Sequence, residues 1–385
     1  MSIRIGLDIR KFADFGIGSY IRHLVGGLSS APEDLVFILM ANKDTLSGER
    51  FPSEKNLEVK LSKRNRRLPN QGFLDFENSL DMYHAPHYIS PSPRRVPLVL
   101  TIHDLIHRFP PFLPANVKPL EPYMYKFYTT AKKLYHQYFS SRNLIRMSHN
   151  AAQIIAVSKS TADSILKDMD IPAHRIRVIY NCIDDVFFQT QDENRIRETL
   201  EKYHLETKSY FLYCGNDLYH KNLGLVLDAW ALLSQSGIPP IMVFAGPPHH
   251  KWIYQRARRY GISDYIKIYG RLSIKDLKML YIGAKGFIFP SLAEGFGLPV
   301  IEALSCGTPV ICSDLPVLRE ISHNACLFFD PSSPESLTFQ INKIIVNSDI
   351  EDEFKERGKQ LALNYQPDIF RNAHYDLYRD ITRKG

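Results

Sequence analysis

The sequence predicts an α/β protein of two domains, each a doubly wound parallel sheet flanked by helices. Three observations lead there. A chain of 385 residues exceeds what one hydrophobic core usually organises, so two domains are expected. Short apolar runs that suit buried parallel strands alternate with helical patterns in both halves. A strand, a Gly-x-Gly turn and a helix open the chain, and strand–turn–helix returns from Gly286 onward, as in α/β domains that handle nucleotides.

Composition narrows the class. With 44% hydrophobic and 23% charged residues, the chain reads as soluble and globular. No window approaches twenty apolar residues, so no membrane-spanning helix is expected, and Met1–Asp8 reads as a strand rather than a signal peptide. Cys182, Cys214, Cys306, Cys312 and Cys326 show no CxxC spacing, which suits reduced core thiols in the cytoplasm better than disulfides or zinc ligands. The net charge of +7 is uneven: residues 1–185 hold 25 Lys and Arg against 18 Asp and Glu, and the remainder holds 23 of each. An acidic partner surface would therefore meet the N-terminal half.

In the N-terminal half, residues 2–8 form the first strand. Gly16 and Gly18 make the turn, and Ile21–Leu28 follows as a helix. The third glycine and the acidic residue of a dinucleotide fingerprint are missing, so either a tight turn or a ligand-facing loop fits. Leu35–Met40 is a strand, and residues 41–75 read as polar, with a basic cluster at 63–67 in a loop. That cluster suits a solvated loop or contact with anionic headgroups. A run from Val96 to Thr101 leads into His103 and Asp104, placing them where a parallel strand stops, at the mouth of an α/β crevice. Residues 117–150 interleave aromatics with six bases and one acid, Glu121. Three readings fit: core packing with a basic outer face, an interfacial helix on a membrane, or single-stranded nucleic-acid binding. Ile154–Val157 and Arg177–Tyr180 complete this sheet, giving a first domain of 1–185. Residues 185–208 read as the polar connection.

The second domain, 186–366, opens with the strand Tyr210–Cys214. Asn216, His220 and Lys221 follow, ahead of a helix from Leu223. A lysine at a turn entering a helix suits a pyrophosphate. Further strands are expected at Ile241–Ala245 and Ile266–Tyr269, the latter followed by Arg271, with a strongly basic helix between them over 251–260. Helices at 334–346, 350–364 and 367–385 end the chain.

The richest stretch is 286–314. Gly286–Pro290 is a strand, Gly295, Phe296 and Gly297 form a turn, and a helix starts near Leu298, with Pro299 at a first helical position and Gly307 past its end. A helix start turns unpaired N–H groups and a positive dipole end toward the turn, favouring phosphate. Glu294 precedes the turn and Glu302 lies one helical turn inside. Two carboxylates straddling an anion site suit a ligand with hydroxyl-rich sugars at both ends of a pyrophosphate, a nucleotide sugar.

Glu294 and Glu302, seven residues apart with Gly-Phe-Gly-Leu-Pro between them, resemble the signature of the retaining glycosyltransferases of family four. The resemblance implies the GT-B fold: two Rossmann-like domains facing across a cleft, with helix 367–385 returning to the first. It implies that Glu294 contacts the donor sugar, Glu302 the ribose and Lys221 the pyrophosphate. Gly295, Phe296, Gly297, Leu298, Asn216 and Arg271 would complete the donor site, and Gly16, Gly18, His103 and Asp104 would face donor or acceptor. His220 stands where the family commonly has Arg, and Cys182 where it usually has Gly. No metal or other cofactor is expected. Relatives that look similar are mannosyl- and glucosyltransferases of bacterial surface-polysaccharide assembly. They imply GDP-mannose or UDP-glucose as donor, a glycan or lipid-linked acceptor, an anionic membrane surface met through 63–67 and 117–150, and no nucleic acid. A nucleotide-sugar epimerase of the same fold, or a non-catalytic nucleotide- or nucleic-acid-binding protein, is the alternative reading.

Overall fold

The computed structural model describes residues 2–14, 16–28, 31–41, 57–61, 77–106, 142–246, 251–347 and 349–383. The basic cluster at 63–67 and residues 117–141 lie outside them. The chain divides into two units, 1–182 with 367–385, and 183–366.

Among the described residues, seven parallel strands build the first unit: β1 (Ile3–Asp8), β2 (Leu35–Ala41), β3 (Leu57–Leu61), β4 (Met82–Ala85), β5 (Leu98–Ile102), β6 (Gln153–Ala156) and β7 (Ile176–Val178). Their order is β3-β2-β1-β4-β5-β6-β7, so the winding reverses between β1 and β4. Side chains alternate across the sheet. Ile5, Leu7, Phe37, Leu39 and Val99 pack with helices Ile17–Val25 and Pro367–Arg383. Ile38, Met40, Leu98, Leu100 and Ile154 pack with Leu144, Met147, Ile165 and Met169 in one cluster. Strand β3 lies within 41–75, a stretch whose sequence reads only as polar. Leu57, Val59 and Leu61 alternate with Glu58 and Lys60, but five residues at a sheet edge, with Val59 39% exposed, carry too weak a pattern to stand out.

The second unit holds β8 (Tyr210–Cys214), β9 (Ile241–Ala245), β10 (Ile266–Tyr269), β11 (Gly286–Phe289), β12 (Val310–Ser313) and β13 (Leu327–Phe329). The order β10-β9-β8-β11-β12-β13 puts its reversal between β8 and β11, and all pairings are parallel. Phe211, Tyr213, Ile288 and Ile311 pack with Trp230 of helix Leu223–Ser236 and with Leu337 and Ile341 of helix Pro334–Val346. Residues 185–208 are more than a connection. They contain a 3-10 turn, Asp185–Phe188, and a helix, Glu193–Lys202, capped by Asp192 and packed on helix Ile274–Gly283.

Lys278 of that last helix fastens the segment. It is 2% exposed, and its ammonium donates to the carbonyls of Val186, at 2.6 Å, and Gln189. Lys278→Met is expected to leave both carbonyls without this donor and to cost about 1–3 kcal/mol, read as a lower urea midpoint. An unchanged midpoint would mean that water replaces the ammonium.

Candidate functional site

Ligands of open parallel sheets bind outside the carboxyl ends of the strands, where the winding reverses. In the second unit that point lies between β8 and β11, and the loops leaving these strands carry Lys221 and Glu294. After β8, the Asn216 side chain accepts from the Leu218 N–H at 3.2 Å, and the Asn216 carbonyl accepts from the Tyr213 hydroxyl at 2.5 Å. A 3-10 turn, Tyr219–Lys221, follows and ends at Asn222 in the left-handed region. The Leu292 N–H, after β11, donates to the His220 carbonyl at 2.7 Å, pinning one loop to the other. Across that junction the Lys221 ammonium meets the Glu294 carboxylate at 2.5 Å, both side chains largely shielded at 15% and 11% exposure. The ammonium also stands 5.3 Å from the Phe289 ring centre.

Gly297 begins helix Leu298–Ser305 at φ +112°, and a Cβ there would approach Leu318 to 2.8 Å. Only glycine combines that backbone with that proximity. Phe296 is buried edge-on against Tyr365 at 5.7 Å, and Gly295 is buried beside it. Leu298 is partly exposed and starts the helix. Glu302, one turn in, accepts from the buried Tyr281 hydroxyl at 3.1 Å. Burial pushes the Glu302 carboxyl up to about 7, Asp184 adds to the rise, and the Tyr281 bond opposes it. Burial also pushes the neighbouring Cys214 thiol up to about 12, helped by the Glu302 charge. Arg271 is exposed.

The first unit has its own set. Gly16 precedes helix Ile17–Val25 at φ +61° with nothing near its missing Cβ, whereas a Cβ on Gly18 would meet the Phe12 carbonyl at 2.6 Å. One glycine therefore serves the turn and the other a close backbone approach. His103, past the end of β5, points Nε2 at the Pro86 carbonyl, 2.9 Å away, and stands edge-on to Tyr20 at 5.0 Å. Burial holds its imidazole below the ordinary range. Asp104 accepts from the Ile106 N–H at 3.0 Å, shaping the chain that leaves the strand.

Comparison with known proteins gives this geometry its family. The model described as Glycosyltransferase Family 4 matches residues 16–187, and that described as Glycosyl transferases group 1 matches 195–361. The chain belongs to the group 1, family-four glycosyltransferases. Among curated relatives of this family-four chain, an Escherichia coli O-antigen chain mannosyltransferase B is 30% identical over 68% of the chain and 64% of the relative. The Salmonella typhimurium O-antigen chain mannosyltransferase RfbU is 29% identical over 55% of each. The chain thus spans between half and two thirds of the length of these relatives. Sucrose-phosphate synthase from Thermosynechococcus elongatus superposes over 100% of both chains with a TM-score of 0.78 at 16% identity. Anabaena HepE in complex with UDP-glucose superposes over 98% and 100% with a TM-score of 0.75, also at 16%. These structural likenesses carry the fold: two Rossmann-like units of the GT-B class.

Within the family-four chain, Asn216, His220, Lys221, Glu294, Gly295, Phe296, Gly297, Leu298 and Glu302 all sit on the two loops at the second unit's reversal point or on the helix that follows. Arg271 follows β10, the edge strand on the β8 side. Gly16, Gly18, His103 and Asp104 belong to the first unit. Sequence reasoning did not single out Tyr281, which holds Glu302, or Phe289 beside Lys221. Both sit in apolar patterns that read as core, so no local signal marked them. Among the described residues no cluster of three or more His, Cys, Asp or Glu could hold a metal, and no helix is long and apolar enough to cross a membrane.

Proposed function

We propose that the protein moves a hexose from a nucleotide sugar, GDP-mannose ahead of UDP-glucose, onto a hydroxyl of a glycan or lipid-linked glycan. Configuration is retained, and no metal or other cofactor takes part. The observation that carries this reading is the 2.5 Å pair of Lys221 and Glu294 at the reversal point of the second sheet, with Glu302 one helical turn away. It sets a cation for diphosphate beside carboxylates for sugar hydroxyls. The mannosyltransferase relatives support mannose as the transferred sugar.

In the proposed reaction, Lys221 and the N–H groups at the start of helix Leu298–Ser305 stabilise the departing nucleoside diphosphate. The acceptor hydroxyl attacks from the leaving-group side, and the departing phosphate takes its proton. Glu294 holds donor hydroxyls and Glu302 the ribose diol. Asn216, His220, Gly295, Phe296, Gly297 and Leu298 line the donor pocket, and Arg271 contacts the base. Gly16, Gly18, His103 and Asp104 serve the transferred sugar or the acceptor. A lipid-linked acceptor would bring the protein to the inner face of the cell membrane.

Nucleotide binding tests the donor site. Thermal shifts with GDP, UDP, ADP and dTDP, with and without magnesium, should show one base stabilising the protein without metal. At 100 times the dissociation constant the effect is about 2.7 kcal/mol. A carboxylate accepts both ribose hydroxyls only when ionised, so affinity should rise with pH through about 7, where Glu302 titrates, and then level off. Glu302→Gln should flatten that profile. Absence of any nucleotide shift would overturn the reading, and an unaltered pH profile in the variant would remove Glu302 from the ribose.

A further inference from the structure

Five buried polar side chains of the first unit form one continuous hydrogen-bonded chain. Strand alternation places His84 of β4 and Thr101 of β5 within a single sheet. Helix Ile17–Val25 contributes Tyr20. Helix Pro367–Arg383 contributes His374 and Tyr378, four residues apart and so on one helix face. None is more than 2% exposed. His374 Nδ1 lies 2.7 Å from the Phe370 carbonyl, and Nε2 lies 2.6 Å from the Tyr20 hydroxyl. Tyr20 Oη is 2.9 Å from Thr101 Oγ1, which is 2.8 Å from His84 Nε2. His84 Nδ1 is 2.7 Å from the Tyr378 hydroxyl.

One acceptor fixes every proton. A carbonyl only accepts, so His374 Nδ1 carries hydrogen and donates to Phe370. In a neutral ring Nε2 is then bare, and Tyr20 donates to it. Tyr20 must accept from the Thr101 hydroxyl, Thr101 from His84 Nε2–H, and His84 Nδ1 from Tyr378. Both histidines stay neutral, in line with the low pKa that burial gives each. Tyr20 is thereby held by its hydroxyl at two points, and its ring is the one that meets His103 edge-on at 5.0 Å with an interplanar angle of 89°. Pro86 fixes His103 in the same way: Nε2–H donates to the carbonyl, leaving Nδ1 as the bare nitrogen.

We propose that Tyr20, Thr101, His84, His374 and Tyr378 are positioning residues for His103: from helix Pro367–Arg383 they hold its ring at the angle at which Nε2–H meets the Pro86 carbonyl, the bond that sets its tautomer. This rests on the reading above that His103 meets the transferred sugar or the acceptor. Misplacing a contact group by an ångström costs up to about a hundredfold in rate, and this chain of bonds opposes such a displacement.

The test uses the full chain with Tyr20→Phe, which keeps the ring and removes its tether, and the nearly isosteric Thr101→Val. Each should lower kcat about tenfold and leave the donor KM within about twofold. The double variant should be no worse than the poorer single one, since both cut the same chain. In protein carrying ¹⁵N-labelled histidine, His103 should show a single Nε2–H tautomer that becomes mixed in both variants. A lower melting temperature with unchanged kcat and an unchanged His103 tautomer would overturn the proposal, leaving the chain of bonds as packing alone. His103→Ala separates the two ideas: unchanged turnover in that variant sinks the role of His103 itself, while the tautomer readout still decides whether the chain sets its ring.

Discussion

Lys221→Met should lower kcat/KM by about a thousandfold, roughly 4 kcal/mol of transition-state stabilisation. The lysine is the cation that the loops of β8 and β11 bring to the reversal point, and its 85% shielding from solvent makes its charge worth more than a surface lysine's. Methionine keeps the stem against Phe289 and removes the charge, leaving Glu294 buried without its partner. Glu294→Gln is the informative companion. It too should lower turnover steeply, because the carboxylate proposed to hold the donor sugar is gone, yet it should bind free nucleoside diphosphate roughly tenfold more tightly. In the parent protein a diphosphate competes with a carboxylate 2.5 Å from the ammonium, and the hydrogen bonds of such charged groups are worth about 1.5–3 kcal/mol. Kinetics with GDP-mannose and calorimetry with GDP read the two effects separately. Opposite signs for the two variants in GDP binding are expected. Weaker GDP binding by Glu294→Gln would show that the carboxylate organises the lysine rather than competing for it.

Acidification from pH 7 to pH 5 should move the two units in opposite directions. His84 and His374 are neutral in the folded first unit, His374 with its pKa pushed down to about 4. Their folded values lie below the unfolded value near 6.5. The unfolded chain therefore binds more protons below that pH, and stability is lost as the pH falls toward the folded values. At pH 5 the loss from His374 is about 2 kcal/mol, and His84 adds a loss of the same sign. Glu302 has the reverse sign. Its folded value of about 7 stands above the ordinary 4.5, so its contribution is complete at low pH and lost as the pH rises through 7. The second unit should gain about 2 kcal/mol at pH 5 from this group. Asp276, Asp314 and Asp330, held low by their partners, lose their contributions only below their ordinary 3.8. Cys182 is the sole cysteine of the first unit and is buried, while Cys312 is buried in the second. Urea-dependent labelling of these thiols with a reagent active in acid reads each unit in the same sample. Parallel shifts of both midpoints would show that other groups dominate the proton linkage.

The two sites differ in how much of them the sequence displayed. Lys221, Glu294, Gly297 and Glu302 stand in local patterns whose chemistry follows from spacing: a turn glycine, a helix start, a carboxylate one turn in. Three further contributors could not be read that way. Tyr281 lies in an amphipathic helix where an aromatic reads as core, and only the packing of helix Ile274–Gly283 beside Leu298–Ser305 brings its hydroxyl to Glu302. The Leu292–His220 bond is made by backbone groups, which any residue type supplies. His374 lies in a charged terminal helix with no motif around it, and its role arises because that helix lies on a sheet whose strands come from the other end of the chain.

By itself the sequence determined the fold class, both glycine turns, the strands that run continuously apolar and the family. These depend on periodicity, backbone freedom and residue type within a few positions, and such information is local. The tertiary structure decided what those residues do to each other: that Lys221 is ion-paired to Glu294 seventy-three residues away, that Glu302 is buried enough to titrate near 7, and that two histidines far apart in the chain stay neutral in one chain of hydrogen bonds. Charge state and hydrogen-bond direction depend on burial and on partners brought close by folding, and no window of sequence contains either.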